Sequence, residues 1–326
     1  MRAIVPAATA VAAAAAAFYI WRVKRTQPVR ARVVYTKKPE SGRHAGRLVD
    51  AQLWGRLRSA FAVHPISAGD AANLQDAEDA REVSVTNCRE VSPAPTLETH
   101  GFTMRHAPSK IRSWERTAAN ERLARSEAEE LVRLATGAEA VYAFDHTWRS
   151  SKRSNFDSSL GPGGLEANVS SAVARAHTDT TPSSAGLKVA ELVDRGILPR
   201  AVQAPTHRRM IVNVWRAYGT GEAVRSFPLG CIKHGTVLPE ERFAYTLAHE
   251  GVCGVNGSVC YGPLHEWHYY DAMTPEEVLL LVNHEEPRAG GGEARAVYHA
   301  ALELLGQDPA AERVSIEVRV LALLPQ

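Results

Sequence analysis

The chain has 326 residues, of which 45% are hydrophobic and 23% charged, with a formal net charge of +2. This composition is ordinary for a globular protein with a large core, and it excludes a fibre or a disordered chain. The small net charge, without a basic stripe carrying interleaved aromatic residues, excludes nucleic-acid binding. The four cysteines, at positions 88, 231, 253 and 260, lack zinc-site spacing and favour reduced thiols.

Residues 1–36 are predicted to be a hydrophobic and basic leader. The stretch from Ala3 to Trp21 carries no charge and is close to the ~20 residues that cross a bilayer as a helix, although alanine partitions only weakly into lipid. Five basic residues lie between Arg22 and Arg32, and no acidic residue precedes Glu40. The leader is expected to be a membrane anchor that keeps the globular part cytosolic, or a transit peptide for organelle import. The expected location is the cytosolic face of a membrane, the cytosol or an organelle.

The segment 37–107 shows little periodicity and is predicted to be an irregular N-terminal extension. A folded domain is predicted over 108–326. It starts with helical spacing from Ser113 to Ala135, ended by Gly137, and continues with a strand over 140–146 and a glycine-rich loop over 161–164.

The C-terminal half is predicted to consist of many short strands separated by glycine and proline turns. Such a pattern is typical of a β-sandwich or barrel, and with a metal site it favours a mainly β domain with flanking helices and a jelly-roll core of the cupin type, a double-stranded β-helix. The predicted strands cover residues 210–216, 227–232, 258–261, 265–270, 277–282, 296–301 and 314–324.

His177 and Asp179 form a His-x-Asp motif. Residues that are two positions apart on a strand point to the same side, so both side chains can reach one metal. With a second histidine they would make the two-histidine, one-carboxylate set that holds Fe(II) and leaves positions open for a cosubstrate and O₂. Because threonines and Pro182 surround the motif, a surface turn is the alternative.

In a jelly roll, the second histidine is expected on a late strand, and His299 is placed in that way. Arg313, with Ser315, follows near the start of the final strand, where a guanidinium could pair with the distal carboxylate of 2-oxoglutarate. His265, and then His268, compete with His299 as the distal ligand. Arg319 competes with Arg313, because with period two it shares the same strand face.

Several blocks occur in the same order as in the gibberellin-desaturase and cephalosporin-hydroxylase-like family of 2-oxoglutarate- and Fe(II)-dependent oxygenases, which the chain resembles over about residues 100–326. The resemblance implies iron at His177, Asp179 and His299 and 2-oxoglutarate at Arg313. It also implies O₂-dependent oxidation, by hydroxylation or desaturation, of a small secondary-metabolite-like molecule. The blocks are 144–149, 211–216, 227–229, 265–277 and 315–319.

Candidate substrate contacts are drawn from the upstream block and from the Asn-x-Trp-Arg block. An ordinary polar cluster is the alternative for the first pair of these residues, and a core position is the alternative for the tryptophan. The family's aspartate after the Phe-Pro-Leu block is absent here, so the substrate of any relative does not transfer. The candidates are His146, Arg149, Asn213, Trp215 and Arg216.

Other function classes lack a site. The segment from His265 to His268 has the wrong spacing for the helical zinc-peptidase motif, and no nucleophile elbow, phosphate loop or dinucleotide fingerprint is present. The alternative function is a membrane-tethered β-sandwich that binds a small molecule without turnover. The sequence contains no signal that specifies an oligomeric state.

Overall fold

The computed structural model describes residues 29–38, 78–151, 169–218, 222–249, 252–308 and 311–326. Within these ranges the chain forms two β-sheets with two α-helices, and short 3₁₀ turns at Cys88–Glu90, Arg200–Gln203 and Pro239–Glu241. The predicted jelly-roll fold, mainly β with flanking helices, is confirmed.

The first sheet has nine strands and carries the His-x-Asp motif. All of its neighbouring strands are antiparallel except β2 and β11, which run parallel. In spatial order the strands are β14 (Glu303–Leu304), β1 (Val29–Thr36), β2 (Glu78–Asn87), β11 (Trp267–Tyr269), β8 (Leu229–Ile232), β13 (His299–Ala301), β6 (His177–Thr178), β10 (Val252–Val259) and β9 (Arg242–His249).

The second sheet has six strands and contains the long apolar runs of the C-terminal half. Its central strands are antiparallel, and β4 and β5 form a parallel edge pair. In spatial order the strands are β3 (Phe102–His106), β12 (Glu277–Glu285), β7 (His207–Ala217), β15 (Val314–Pro325), β4 (Ala140–Ser150) and β5 (Val169–Ser171).

Helix α1 spans Ala118–Thr136 and covers the outer face of the six-stranded sheet. Its start is defined by Thr117, whose side chain accepts a hydrogen bond from the Asn120 amide, and it ends at Gly137, which adopts φ +68° as predicted for a helix stop. The helix begins five residues later than the sequence predicted, because Thr117 provides the N-cap. Its small apolar face packs into the core with Val214, Ile316 and Val318.

Helix α2 spans Pro182–Asp194 and was not predicted from the sequence. Thr181 and Ser184 form a capping box, and Pro182 occupies the first turn, where its missing amide proton is not needed. Apolar side chains of α2 pack against Ile211 and Leu321. These two residues are paired across strands next to Asn213 and Arg319, so α2 covers the same face of the sheet on which those polar residues lie.

The N-terminal region contributes more regular structure than predicted. Val29–Thr36, in the predicted leader, forms β1 with Ala31, Val33 and Tyr35 fully buried. Glu78–Asn87 and Phe102–His106, in the predicted irregular extension, form β2 and β3. All three are antiparallel partners of other strands, and β1 has the period-two alternation of a strand although it lies in the basic flank assigned to the leader.

The predicted membrane-spanning stretch, residues 3–21, lies outside the described residues. Among the helices that are described, none is both long and apolar enough to cross a bilayer.

Candidate metal centre

The metal centre is built across two adjacent strands of the nine-stranded sheet. His177 on β6 lies directly opposite His299 on β13, and their ring centroids are 4.5 Å apart. Asp179 follows His177 by two residues. One potential ligand atom from each of the three residues lies within 4.8 Å of the other two. The predicted triad is therefore brought together.

Both imidazoles are oriented by backbone carbonyl groups. The Nδ1 atom of His177 donates to the Arg175 carbonyl at 2.8 Å, and that of His299 donates to the Val297 carbonyl at 3.2 Å. Because a carbonyl only accepts, Nδ1 carries the proton, which leaves the lone pair on Nε2. Nε2 of His177 lies 3.6 Å from Oδ1 of Asp179. The triad thus presents two imidazole nitrogens and a carboxylate oxygen to a common point.

The electrostatics keep His177 neutral and Asp179 ionised. Burial, together with the neighbouring His299, lowers the pKa of His177 to about 3, although Asp179 acts in the opposite direction. Burial alone would raise the pKa of Asp179, but Arg319 and the two imidazoles lower it well below its usual value. Neutral imidazoles and an ionised carboxylate are the forms that bind a metal.

The carboxylate of Asp179 is held by its second oxygen. Oδ2 accepts hydrogen bonds from Asn213 Nδ2 and Asn283 Nδ2, each at 2.8 Å, and from Arg319 Nε at 2.9 Å. Asn283 was not predicted from the sequence, where it is only one polar residue at the end of the apolar run of β12. The donor set fits iron, because two nitrogens and one carboxylate oxygen are the ligands of this metal class.

Arg313 and Ser315 are both buried, and each has a polar atom without a partner among the described residues. Arg313 is 3% exposed and donates through Nη1 to the Phe227 carbonyl, while its Nε and the Ser315 hydroxyl have no hydrogen-bond partner in the part of the chain that the structure describes. Burial and the positive charge of Arg149 lower the pKa of Arg313 to about 9, against the effect of Glu317. Buried donors next to the positive charge of Arg313 fit an anionic ligand such as a carboxylate, which would accept from them and neutralise that charge.

Trp215 contributes a further unpaired donor to this region. The guanidinium carbon of Arg313 lies 5.7 Å from the centre of the Trp215 ring, and the buried indole Nε1 has no hydrogen-bond partner among the residues described above. Trp215 also lies opposite Glu317 on β15, which directs it to the same face as the metal centre. Its side chain therefore borders the space beside Arg313.

Arg319, the predicted rival of Arg313, donates hydrogen bonds from each of its three nitrogens. Besides Asp179 it donates to Asp145, Thr147 and Glu317, at 2.8, 3.1 and 2.8 Å. Four of its five N–H groups are used in this way, and all three nitrogens donate, so the guanidinium of Arg319 is committed to partners within the protein. It supports the metal ligand instead.

The rival histidines are placed elsewhere. His265 is bonded to Tyr35 and Glu241 and stacks on Tyr35, which contacts Trp267. Trp267 precedes His268 on β11 and therefore lies on the opposite face of the sheet. His268 itself shares the face of the metal centre, but Cys231 on β8 separates it from His299. Neither residue is grouped with His177 and Asp179.

The predicted substrate contacts divide between two faces of the six-stranded sheet. Asn213 and Trp215 face the metal centre, and Arg149 lies 4.0 Å from the buried Glu317. His146 instead contacts Arg125 and Glu121 of α1. Arg216 follows Trp215, so its side chain projects from the opposite face, where it donates to the Pro275 carbonyl. The structure therefore does not bring His146 and Arg216 to the centre.

Comparisons with known proteins agree with this site. The family model described as oxidoreductase/YMDC permease-like domain matches residues 49–323. The hydroxylase/desaturase efuI of Hormonema carpetanum is 27% identical over 242 residues, which cover 69% of this chain and 78% of that protein. The alpha-ketoglutarate-dependent dioxygenase tstK of Talaromyces stipitatus is 26% identical over 206 residues, covering 60% of this chain and 68% of its own. The alpha-ketoglutarate-dependent dioxygenase phiK of a fungal species is 25% identical over 236 residues, which cover 70% of this chain and 79% of that protein.

Solved structures of the iron and alpha-ketoglutarate-dependent endoperoxidase NvfI have the same fold. One superposes with a TM-score of 0.64 at 17% identity and covers 91% of this chain and 98% of that structure. A second structure, in a different conformation, superposes with a TM-score of 0.67 at 18% identity and covers 92% of this chain and 99% of that structure. The chain belongs to the matched oxidoreductase family, and its membership of the 2-oxoglutarate- and Fe(II)-dependent oxygenases, which its sequence blocks indicated, is confirmed.

Proposed function

We propose that the protein is a 2-oxoglutarate- and Fe(II)-dependent dioxygenase that hydroxylates or desaturates a small organic molecule of the secondary-metabolite class. One observation carries the proposal: two buried imidazoles, each with Nδ1 held by a carbonyl, turn Nε2 toward a carboxylate that lies within 4.8 Å. The named activities of the curated relatives support the same reaction class.

In this proposal His177, Asp179 and His299 hold the iron. Their donor set leaves open positions on an octahedral ion, as a reaction that binds both a cosubstrate and O₂ requires. When bound, iron and 2-oxoglutarate supply an oxidative decarboxylation to succinate and CO₂ that is coupled to breaking a substrate C–H bond. Hydroxylation places one atom of O₂ in succinate and the other in the product, whereas desaturation releases the second atom as water.

Arg313 is the proposed anchor of the cosubstrate, with Ser315 as a further donor. Within the described ranges, neither Nε of the buried guanidinium nor the Ser315 hydroxyl has a hydrogen-bond partner. The distal carboxylate of 2-oxoglutarate would satisfy both and neutralise the charge of Arg313. Burial keeps water from competing for these donors, so the side chains orient the cosubstrate relative to the metal ligands.

Anaerobic difference spectroscopy tests the function. Addition of Fe(II) and then 2-oxoglutarate to the full chain is expected to give the weak visible absorption band of a chelated keto acid, and exposure to O₂ is expected to release succinate. A non-catalytic binding protein would give neither signal. The Asp179→Ala variant serves as the control, since it lacks the carboxylate and is expected to give no band.

We also propose that residues 3–21 tether the protein to the cytosolic face of a membrane. Support comes from the uncharged stretch followed by a basic, acid-free segment. The full chain is expected in the membrane pellet after a carbonate wash, and a variant that lacks residues 1–25 is expected in the supernatant. A pellet that still contains the shortened chain would contradict the tether, and delivery of the full chain into an organelle lumen would favour a transit peptide.

A further inference from the structure

The two oxygens of the Asp179 carboxylate are in different environments. Oδ2 accepts three hydrogen bonds, from Asn213, Asn283 and Arg319, at 2.8, 2.8 and 2.9 Å. Oδ1 lies 3.6 Å from Nε2 of His177. A carboxylate oxygen has about two lone-pair positions, so three donors leave Oδ2 without capacity for another partner. Oδ1 is the oxygen that faces the imidazoles.

Asn283 is at the centre of this arrangement. It is fully buried and lies where the pairing of β12 with β7 shifts register, between Val282 and His284. Its Nδ2 donates to Asp179 and also to Oδ1 of Asn213, at 2.9 Å. An ionised carboxylate can only accept, so the amide nitrogen of Asn283 must face Asp179. Leu281, two residues earlier, pairs with Asn213, so strand alternation directs Asn283 to the face of the sheet on which Asn213 lies.

The carbonyl side of the same amide is held by two threonines that flank the metal ligand. Thr178 Oγ1 donates to Oδ1 of Asn283 at 3.1 Å, and Thr180 Oγ1 donates to it at 2.9 Å. Each hydrogen-bonding position of the Asn283 amide is thus assigned to a named partner. Because both threonines are adjacent to Asp179, the amide holds the backbone on either side of the ligand as well as its carboxylate.

Arg319 adds a cation that stays in place independently of Asp179. Its Nη1 and Nη2 groups are fixed by Asp145, Thr147 and Glu317 on neighbouring positions of β4 and β15. The Nε–H bond to Asp179 is consequently directed by a guanidinium that cannot rotate freely. The three donors to Oδ2 come from β7, β12 and β15, which are neighbours in the six-stranded sheet.

We propose that Asn283 is a positioning residue that, with Asn213 and Arg319, reserves Oδ2 of Asp179 and limits this ligand to metal binding through Oδ1 alone. The inference rests on the proposed function. An aspartate that bound iron through both oxygens would occupy a position that the cosubstrate and O₂ need on an octahedral ion. The amide pair therefore protects an open position without touching the metal.

The test replaces Asn283 by leucine, which is similar in size and lacks the amide. The Thr178 hydroxyl keeps an acceptor in this variant, because it also donates to the main-chain carbonyl of residue 283 at 3.1 Å. Val282→Ala, a core change in the same strand, is the matched control for lost packing. The apparent Kd for Fe(II) is measured anaerobically by competition with a chromogenic chelator, and the visible spectrum of Co(II)-loaded protein reports the coordination.

Asn283→Leu is expected to weaken Fe(II) binding about 10- to 100-fold, the range typical for partners that orient a metal ligand, and to alter the Co(II) bands. Val282→Ala is expected to keep the Kd for Fe(II) within about twofold of the wild-type value and to leave the Co(II) bands unchanged. A folded Asn283→Leu protein with wild-type affinity and an unchanged Co(II) spectrum would overturn the inference.

A second variant covers the case in which Asn283→Leu does not fold. Asn213→Ala removes one donor to Oδ2 directly and is expected to weaken Fe(II) binding by about tenfold. Unchanged affinity in folded Asn213→Ala would overturn the inference as well. A wild-type protein that fails to bind Fe(II) is a different result, because it refutes the proposed function itself.

Discussion

Two buried clusters of histidine and carboxylate lie on opposite faces of the nine-stranded sheet, and they differ in how many of their hydrogen-bonding positions are used. In one cluster His265 bonds Tyr35 through Nδ1 at 3.2 Å and Glu241 through Nε2 at 2.9 Å. In the other, among the described residues, His177 and His299 use Nδ1 for hydrogen bonds to carbonyl groups and use Nε2 for none.

The same contrast separates the two candidate arginines. Arg319 donates from all three of its nitrogens, whereas Arg313 is buried and its Nε has no partner among the described residues. A satisfied polar cluster stabilises the fold and has no capacity for a ligand, while an unsatisfied one costs free energy that a ligand can recover. The difference teaches that unused bonding capacity, more than residue type, distinguishes a site from a structural cluster.

The largest expected effect is on Fe(II) affinity, and it distinguishes the two histidine clusters. His299→Ala removes one proposed ligand and is expected to weaken Fe(II) binding by more than about 100-fold, beyond the range for supporting residues. His265→Ala is expected to retain wild-type Fe(II) affinity, because both of its nitrogens are already bonded within the protein. Anaerobic iron titration of the two purified variants measures this. Retention of iron by His299→Ala together with its loss in His265→Ala would reverse the assignment.

The next largest effect is on 2-oxoglutarate affinity, and it distinguishes Arg313 from Arg319. Arg313→Leu removes charge-assisted hydrogen bonds of about 1.5–3 kcal/mol, so the Kd for 2-oxoglutarate is expected to rise about 10- to 150-fold. Affinity for Fe(II) alone should stay unchanged. Titration of the keto-acid absorption band measures the first quantity. The matched variant Arg319→Leu should instead weaken Fe(II) binding, since it removes a donor to Asp179, and an unchanged 2-oxoglutarate Kd in Arg313→Leu would contradict the anchor.

His265→Leu provides the structural side of the comparison. It leaves Glu241, which is 7% exposed, without its imidazole partner. The lost hydrogen bond and the desolvated carboxylate are expected to lower the free energy of unfolding by about 1–3 kcal/mol. Urea unfolding measures the change. An equal loss of stability in His299→Ala without a loss of iron would show that both clusters are structural.

The smallest effect concerns His284, a buried histidine with an unpaired Nδ1 that stands outside both clusters. Burial lowers its pKa from 6.5 to about 4 in the folded protein. Below pH 6.5 the unfolded chain therefore binds a proton that the folded chain does not, so stability falls as the pH drops from 6.5 toward 4. Between pH 7 and pH 5 this contribution is about 2 kcal/mol.

His284→Gln is expected to reduce that loss. Urea unfolding at pH 7 and pH 5 should show a fall in stability that is smaller than in the wild type by about 2 kcal/mol, with Fe(II) affinity at pH 7 unchanged. An identical pH dependence in the variant would contradict the buried neutral imidazole.

Period-two alternation explains what could be predicted of the site. It places His177 and Asp179 on one side of a strand and Arg313 and Ser315 on one side of another, and the structure has these residues facing the interior. The same rule corrects the sequence prediction for Arg216, which is adjacent to Trp215 and therefore faces α1. The jelly-roll fold followed from the number of short strands and their turns.

Other features depend on pairing that a single sequence does not display. Asn283 is one polar residue after an apolar run, and its contact with Asp179 follows from the pairing of β12 beside Asn213 on β7. β1 alternates at Ala31, Val33 and Tyr35 but lies in the basic flank assigned to the leader, whereas β2 has few apolar residues and is recognisable only through its pairing with β1. Helix α2 had a signal in Thr181, Pro182 and Ser184, but it follows directly on the His-x-Asp motif, where a succession of strands was expected.

Anomalous diffraction at the iron edge, from crystals grown anaerobically with Fe(II), tests the central claim most directly. The account predicts one strong peak within coordination distance of Nε2 of His177, Nε2 of His299 and Oδ1 of Asp179, with Oδ2 still bonded to the two asparagines and Arg319. A peak beside His265 and Glu241, or iron bound through both oxygens of Asp179, would contradict it.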